Sequence, residues 1–271
     1  MGNVLFVVWR ESVEAMLVIG ILYAWLRNNQ GGERGIPWLW GGVAGGIALA
    51  LALGWAMLSV QSGLSGETLE IFQMAAVFIA AGLITQMVLW MKKHGREMKR
   101  QLEREAEQAT RNSRWIGIAV VATLAVAREG AETVIFLYGM GLEKGSGGMV
   151  PLAGAAAAGL LLALATAWAV ERGLRFLNYG TFFRVSGFLL LLFASALVMN
   201  GGERLIGMGW LPPLADPLWD SSALLDDSTT LGNLVASLTG YRAHPSLAAL
   251  LLYAAYWAGE AALSRLYNRK R

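Results

Sequence analysis

Val4-Leu5-Phe6-Val7-Val8-Trp9-Arg10-Glu11-Ser12-Val13-Glu14-Ala15-Met16-Leu17-Val18-Ile19-Gly20 is apolar on both sides of one compact charged group, R-E-x-x-E. The same pattern returns as Arg128-Glu129-Gly130-Ala131-Glu132, again inside an apolar stretch of helix length. An ionisable residue at membrane depth costs about 2.5–3.5 kcal/mol on insertion scales. Turning all six toward lipid would cost roughly 15–20 kcal/mol, more than the net stability of most folds. They must face inward, toward one another or toward a polar passage. Four carboxylates and two guanidiniums gathered there read as a cation site.

Composition sets the outer bounds. The 271 residues are 56% hydrophobic and only 15% charged, with 33 glycines, and this excludes an ordinary soluble domain. An all-α integral membrane protein is expected. Cysteine is absent, which rules out disulfides, thiolate metal sites and iron–sulfur clusters. The two histidines, His94 and His244, sit near neither motif, which argues against a His-ligated haem or a His-rich zinc centre. The amino-terminal segment is not expected to be a cleaved signal: it has no basic start, and Arg10 and Glu11 interrupt the apolar run.

A membrane helix needs about 20 mostly apolar residues. Seven stretches qualify: 4–26, 36–60, 69–91, 116–141, 150–171, 182–202 and 244–263. Between the third and fourth, residues 92–115 carry eight Lys/Arg and form a water-side connection, partly helical. Segment 203–243 holds Pro212-Pro213 and Pro217, then Leu231, Leu234, Val235 and Leu238 at helical spacing. A short amphipathic surface helix is expected over Ser228–Leu238, with Asp227 and Ser228 as caps. Orientation follows from the basic residues. With the amino terminus outside, the inner segments carry Arg27 and Arg34, the eight of 92–115, Arg172, Arg175, Arg184, and Arg265, Arg269, Lys270 and Arg271, seventeen in all. The outer segments carry three, Lys144, Arg204 and Arg242. The carboxyl terminus is then cytoplasmic, as an odd number of spans requires. The outer segments also hold eight acids, Glu67, Glu70, Glu143, Glu203, Asp216, Asp220, Asp226 and Asp227, a local balance of −5 that concentrates cations there.

Spans 1–3 and 4–6 each begin with the R-E-x-x-E helix at similar depth. Three spans per half reverse the second half in the membrane, the inverted-repeat plan that places a transport site at the repeat interface. The expected organisation is one permease domain over 1–271: repeat one at about 1–91, repeat two at about 116–202, an outer loop at 203–243, and a seventh helix at 244–263. Residues three or four apart share a helix face. Glu11 and Glu14 are therefore neighbours, as are Glu129 and Glu132, and each pair brings its own counter-charge, Arg10 or Arg128. Four hard carboxylate ligands can supply much of an octahedral oxygen shell, completed by water. The charge sum of −2 suits a divalent ion and is workable for a trivalent one. The competing interpretation is that each Arg bolts its helix to a neighbour; a plain ion pair needs one acid, however, and each Arg here has two.

Other positions carry less. Thr85, Gln86, Asn200, Tyr23 and Tyr138 are polar residues in apolar helices, where bonding across helices is the usual role. Glu260, near the inner end of span 7, is expected to pair with Arg265. Trp38, Trp40, Trp90, Trp210 and Trp219 fall at expected interfaces, and the small-residue runs Gly45-Gly46 and Ala153–Gly159 allow close helix packing. The basic 92–115 segment is expected to meet anionic lipid headgroups. Interleaved Glu97, Glu103, Glu105 and Glu107 speak against nucleic acid as its partner.

With both motifs in view, the chain resembles the iron permeases of the oxidase-dependent iron transporter family of fungi and bacteria. The resemblance covers nearly the whole chain. It includes Ala127-Arg128-Glu129-Gly130-Ala131-Glu132 and the late segment Leu231-Gly232 … Gly240-Tyr241-Arg242-Ala243-His244-Pro245-Ser246. It implies iron uptake across the cytoplasmic (inner) membrane, with iron as transported substrate, no catalytic residue and no cofactor. Glu11, Glu14, Glu129 and Glu132 are the implied iron residues. Implied partners are a separate periplasmic iron-binding lipoprotein and a haem peroxidase in bacteria, or a copper ferroxidase in fungi. The first motif departs from the family in reading Arg-Glu-Ser-Val-Glu, where a glycine often follows the first Glu; its ligands are intact. Oxygen ligands alone do not choose among metals, so lead or manganese remains open as cargo. A carboxylate-bridged di-metal enzyme would call for E-x-x-H histidines, which neither motif has. A purely structural subunit is the remaining alternative.

Overall fold

The computed structural model describes residues 2–29, 31–94, 98–113, 115–141, 149–171 and 179–269. Arg96, Glu97, Arg114, Glu143, Lys144, Arg172, Arg175, Lys270 and Arg271, used above in reading the charges, lie outside them. Among the described residues every regular element is a helix, with no strand: α1 Gly2–Asn28, a 3-10 turn at Gly32–Gly35, α2 Ile36–Gly63, α3 Gly66–His94, α4 Met98–Ser113, α5 Trp115–Gly141, α6 Met149–Glu171, α7 Tyr179–Gly207, α8 Thr230–Thr239 and α9 Leu247–Arg269. Residues 208–229 and 240–246 are turns and irregular chain. Each apolar stretch read from the sequence holds one of the long helices, and six of them are extended by a few residues. The seventh, expected over 244–263, starts only at Leu247, where the Ser246 hydroxyl accepts from Ala249 N at 3.3 Å, and runs on to Arg269.

Among the described residues, five helices are long and apolar enough to cross a membrane, over Gly32–Gly63, Gly66–Lys92, Leu152–Ala169, Arg184–Gly207 and Leu247–Leu266. α1 and α5 have 27 residues each. They fall short in apolarity because every membrane-length window within them includes at least three charged residues, those of the R-E-x-x-E motif among them. The outward surfaces match an apolar solvent. Leu51 and Trp55 of α2, and Leu161 and Trp168 of α6, are all exposed, and such a band on a folded protein marks a surface meant for lipid or another apolar partner.

The chain divides into two compact units. The first comprises Met1–Leu64, His94–Leu137 and Gly147–Asn178, and thus holds α1, α2, α4, nearly all of α5, and α6. α1 packs along α6, and α2 along α5. Pro37 in the first turn of α2 starts that helix, where its missing N–H is no loss. At one end of the unit Val18, Leu22 and Leu26 of α1 meet Leu39 of α2, Leu102 and Ala106 of α4, and Ile118 and Ala122 of α5 in a buried cluster. α4, expected only as a basic connection, thus contributes to a core. Its charged sequence conceals two buried apolar residues one helical turn apart, Leu102 and Ala106.

The second unit comprises Ser65–Lys93, Tyr138–Ser146 and Tyr179–Arg271. α7 is its centre, with Leu190, Phe193, Ala194 and Leu197 buried, and α8 and α9 pack against it. The long outer segment is ordered by backbone bonds: Leu218 N donates to the Pro245 carbonyl (2.9 Å), Ser221 N to Ala243 (3.0 Å) and Leu247 N to Ala215 (2.9 Å).

Two local expectations are corrected here. Thr229, not Asp227 or Ser228, caps α8, its hydroxyl accepting from Gly232 N at 3.1 Å. Asp226 instead accepts from Ser228 N at 2.8 Å, which closes the preceding turn and delays the helix start. α8 turns Gly232 and Ala236 to the protein and leaves Leu231 and Leu234 outward. Gly240, at φ 75°, ends it in the left-handed conformation glycine supplies. Glu260 pairs with Lys92 of α3 at 3.3 Å rather than with Arg265. Five residues on, Arg265 lies off Glu260's helix face.

Candidate cation site

All six motif residues lie in the first unit. α1 carries Arg10, Glu11 and Glu14 at its buried face, with 1%, 1% and 4% of each residue exposed. Arg10 spans its own two acids: Nη1 donates to Glu11 Oε1 at 2.6 Å, and Nη2 is paired with Glu14 Oε1, one turn along. On α5, Arg128 Nε stands 3.4 Å from Glu129 Oε1 and 3.3 Å from Glu132 Oε1. The helices bring the two motifs together. One oxygen each from Glu11, Glu14 and Glu129 lies within 4.8 Å of the others, all three residues buried. Glu132 stands beside this group, close enough to interact electrostatically with Glu11 and Glu14.

The carboxylates are not used up by their arginines. Glu11 Oε2, Glu129 Oε2 and Glu132 Oε2 are shielded from solvent and have no hydrogen-bond partner. Leaving a desolvated acceptor unsatisfied costs about 1–3 kcal/mol, more when it is charged. An acid group in which Glu11, Glu129 and the adjacent Glu132 each keep a spare oxygen therefore fits a cation better than it fits a closed ion-pair bolt, and carboxylate oxygens suit a hard or borderline metal ion.

What sets this geometry is close helix packing, and it is duplicated. A Cβ on Gly159 of α6 would lie 2.6 Å from Leu5 O, 3.0 Å from Val8 Cβ and 3.1 Å from Trp9 N of α1. A Cβ on Gly46 of α2 would lie 2.9 Å from Thr123 O, 2.7 Å from Val126 Cβ and 2.9 Å from Ala127 N of α5. Leu5, Val8 and Trp9 stand at the same distances before Arg10 as Thr123, Val126 and Ala127 stand before Arg128. Each motif helix is thus approached by a glycine at the same three atoms. The polar ties at these contacts differ: Trp9 Nε1 donates to Thr166 Oγ1 at 3.0 Å, and Thr123 Oγ1 to the Gly42 carbonyl at 3.0 Å. Sequence reading had treated Gly45-Gly46 and Ala153–Gly159 as general packing and had passed over Trp9, Thr123 and Thr166. No spacing signals the duplication in the sequence, because Gly46 follows Arg10 by 36 residues whereas Gly159 follows Arg128 by 31.

The motifs also differ, which their identical pattern conceals. The Arg10 side chain is 1% exposed and the Arg128 side chain 47%. Among the other polar residues singled out, Thr85 Oγ1 meets Tyr256 Oη at 3.0 Å, and Glu203 accepts from Arg242 Nε at 2.7 Å. Asn200 also accepts from Arg242. These contacts hold the second unit together.

Residues 1–266 match the iron permease FTR1 family. The chain belongs to that family. It is similar to the ferrous iron permease EfeU of Escherichia coli O6:K15:H31, at 31% identity over 91% of this chain and 89% of the relative. It is likewise similar to the putative inactive ferrous iron permease EfeU of E. coli K12, at 30% identity over the same shares. Against EfeU of Yersinia pestis identity is 27% over 92% of this chain and 88% of the relative. No solved structure matches the chain. The resemblance stated from the sequence therefore holds. The family and these relatives bear the name of iron permeases, and the long apolar helices agree with them, so the chain is a multi-pass membrane protein of the iron-permease family.

Proposed function

We propose that this permease carries ferrous iron across the cytoplasmic membrane through the buried acid group of α1 and α5. Glu11, Glu14, Glu129 and Glu132 serve as the iron ligands, and Arg10 and Arg128 as their counter-charges. The observation that carries this reading is the convergence of carboxylate oxygens from both motifs within 4.8 Å, with further oxygens left unpaired. Four carboxylates and two guanidiniums leave a charge of −2, which a divalent ion neutralises. The arginines limit affinity. Without them four adjacent carboxylates would hold a divalent ion too tightly to release it.

In this reading all seven long helices span the membrane, α1 and α5 included, since their charges are turned into the protein. The amino terminus is outside and the carboxyl terminus cytoplasmic. Residues 1–91 and 116–202 form inverted repeats, with 244–263 as the added seventh span. The duplicated Gly46 and Gly159 contacts support the repeat, because a twofold relation exchanges the α1–α6 and α5–α2 pairs. The acidic outer segment draws cations, and a separate outer-face protein delivers or oxidises the iron, an iron-binding lipoprotein with a peroxidase or a ferroxidase.

The test is ferrous iron uptake by the purified protein in lipid vesicles. The double variant Glu11→Gln/Glu129→Gln is expected to insert normally and transport nothing. Uptake at the parent rate overturns the assignment. Competition by manganese and lead against iron separates an iron permease from a carrier of another divalent metal.

A further inference from the structure

We propose that the four acids divide the work: Glu11, Glu14 and Glu129 form the holding cage, and Glu132, tethered to Arg128, is a transfer ligand on the cage's hydrated side. This rests on the reading of the acid group as the transport site and assigns different tasks within it. The first observation is geometric. Among the described residues three acids, Glu11, Glu14 and Glu129, make up the mutually close group, and Glu132 stands outside it. The second is graded burial. The side chains of Glu11, Glu14 and Glu129 are 0%, 5% and 7% exposed, whereas that of Glu132 is 16% exposed and its partner Arg128 47% exposed.

The exposure of Arg128 is informative because of its place, midway along the 27 residues of α5. A guanidinium turned to lipid there is strongly disfavoured. Its accessible face is therefore a face toward water, and Arg128 marks a hydrated approach that stops at the cage. Arg10, at the same place in its own motif, is sealed and locked to both of its acids. An ion moving along the hydrated side meets Glu132 before the cage. The cation weakens the hold of Arg128 on Glu132, and the freed carboxylate follows the ion inward. Glu132 Oε2, buried and without a hydrogen-bond partner, supplies the oxygen that faces this step. Arg128 then closes behind the ion as a like charge, opposing its return.

Equilibrium binding and transport rate separate the two tasks. In anaerobic calorimetry with ferrous iron, Glu132→Gln is expected to lose affinity about 3-fold, far less than the cage acids. In vesicles its initial uptake rate falls about 10-fold or more, and Glu132→Asp restores part of that rate. Glu11→Gln and Glu129→Gln each lose about 30-fold or more in affinity. If Glu132→Gln loses as much affinity as Glu11→Gln, or transports at the parent rate, the division of labour is wrong although the site stands. If Glu11→Gln and Glu129→Gln both bind iron normally, the site reading itself fails. The parent has no cysteine, so a second measurement is direct. Arg128→Cys is expected to react with a charged, membrane-impermeant methanethiosulfonate and Arg10→Cys not to; equal labelling of the two, or none at 128, overturns the hydrated approach.

Discussion

Replacing Gly159 by alanine tests whether helix spacing sets the cation site. The added Cβ would stand 2.6 Å from Leu5 O, against an ordinary contact of 3.4 Å or more. Relief requires α1 and α6 to part by about 0.8 Å, since the opposing atoms are backbone and cannot rotate away. Metal–ligand distances tolerate only about 0.2 Å. A shift of that size carries Glu11 and Glu14 off their positions relative to Glu129 by several times the tolerance. Overpacking of this kind costs about 1–3 kcal/mol, and each 1.4 kcal/mol lost from binding is about tenfold in affinity. Gly159→Ala is therefore expected to weaken ferrous iron binding about tenfold in calorimetry and to lower the thermal midpoint in detergent. Gly46→Ala, whose Cβ meets the equivalent three atoms of α5, should do the same. Gly41→Ala and Gly154→Ala are the controls, because a Cβ at either meets nothing within 4 Å. Parent affinity in Gly159→Ala and Gly46→Ala alike would refute the link between these contacts and the acid group. A loss of stability alone would mean that α6 and α2 yield outward while the motif helices stay in place.

Two further outcomes follow from the ion pairs. Arg10→Ala leaves two buried carboxylates without their cation and is expected to cost about 3–5 kcal/mol in chemical denaturation. Arg128→Ala, where the guanidinium is half exposed but Glu129 is buried, should cost less than Arg10→Ala in the same measurement. In the outer segment, hydrogen bonds from the Ser222 hydroxyl and backbone N–H, at 2.6 and 2.9 Å, hold the Asp220 carboxyl below the usual range, helped by His244 at 3.0 Å. A depressed carboxyl stabilises the folded segment above the ordinary Asp range and loses that contribution as pH falls through it. Ser222→Ala should move the Asp220 titration upward toward the ordinary value, measured by carboxyl NMR, and an unchanged titration would discount these bonds.

The helices were legible because apolar runs of membrane length leave few alternatives, and the gathering of acids from both motifs because charges interrupting such runs must turn inward. Three features were not legible, each for a physical reason. The start of α8 turned on which of four adjacent polar residues bonds which N–H, a choice among near-equal local options that Asp226 settles by closing its own turn first. The burial of Leu102 and Ala106 was hidden by composition, since sixteen residues dominated by charge read as solvated whatever two of them touch. The partner of Glu260 depended on α3 lying alongside α9, which no local spacing in α9 reveals.

The contrast between Arg10 and Arg128 is the instructive case. Identical motifs imply identical sites only if their surroundings match. The two motif helices share the glycine contact but not the polar tie beside it. Trp9 on α1 fills space and bonds Thr166, whereas the matching position on α5 is Ala127, a small residue that fills far less. The unequal cover of the two arginines, 1% against 47% exposed, is set by what surrounds each motif and not by the motif itself. A carrier built from two equivalent halves holds its ion with no preferred side. Unequal cover breaks that equivalence, so the side from which an ion can approach follows from the surroundings of each arginine rather than from the acids themselves.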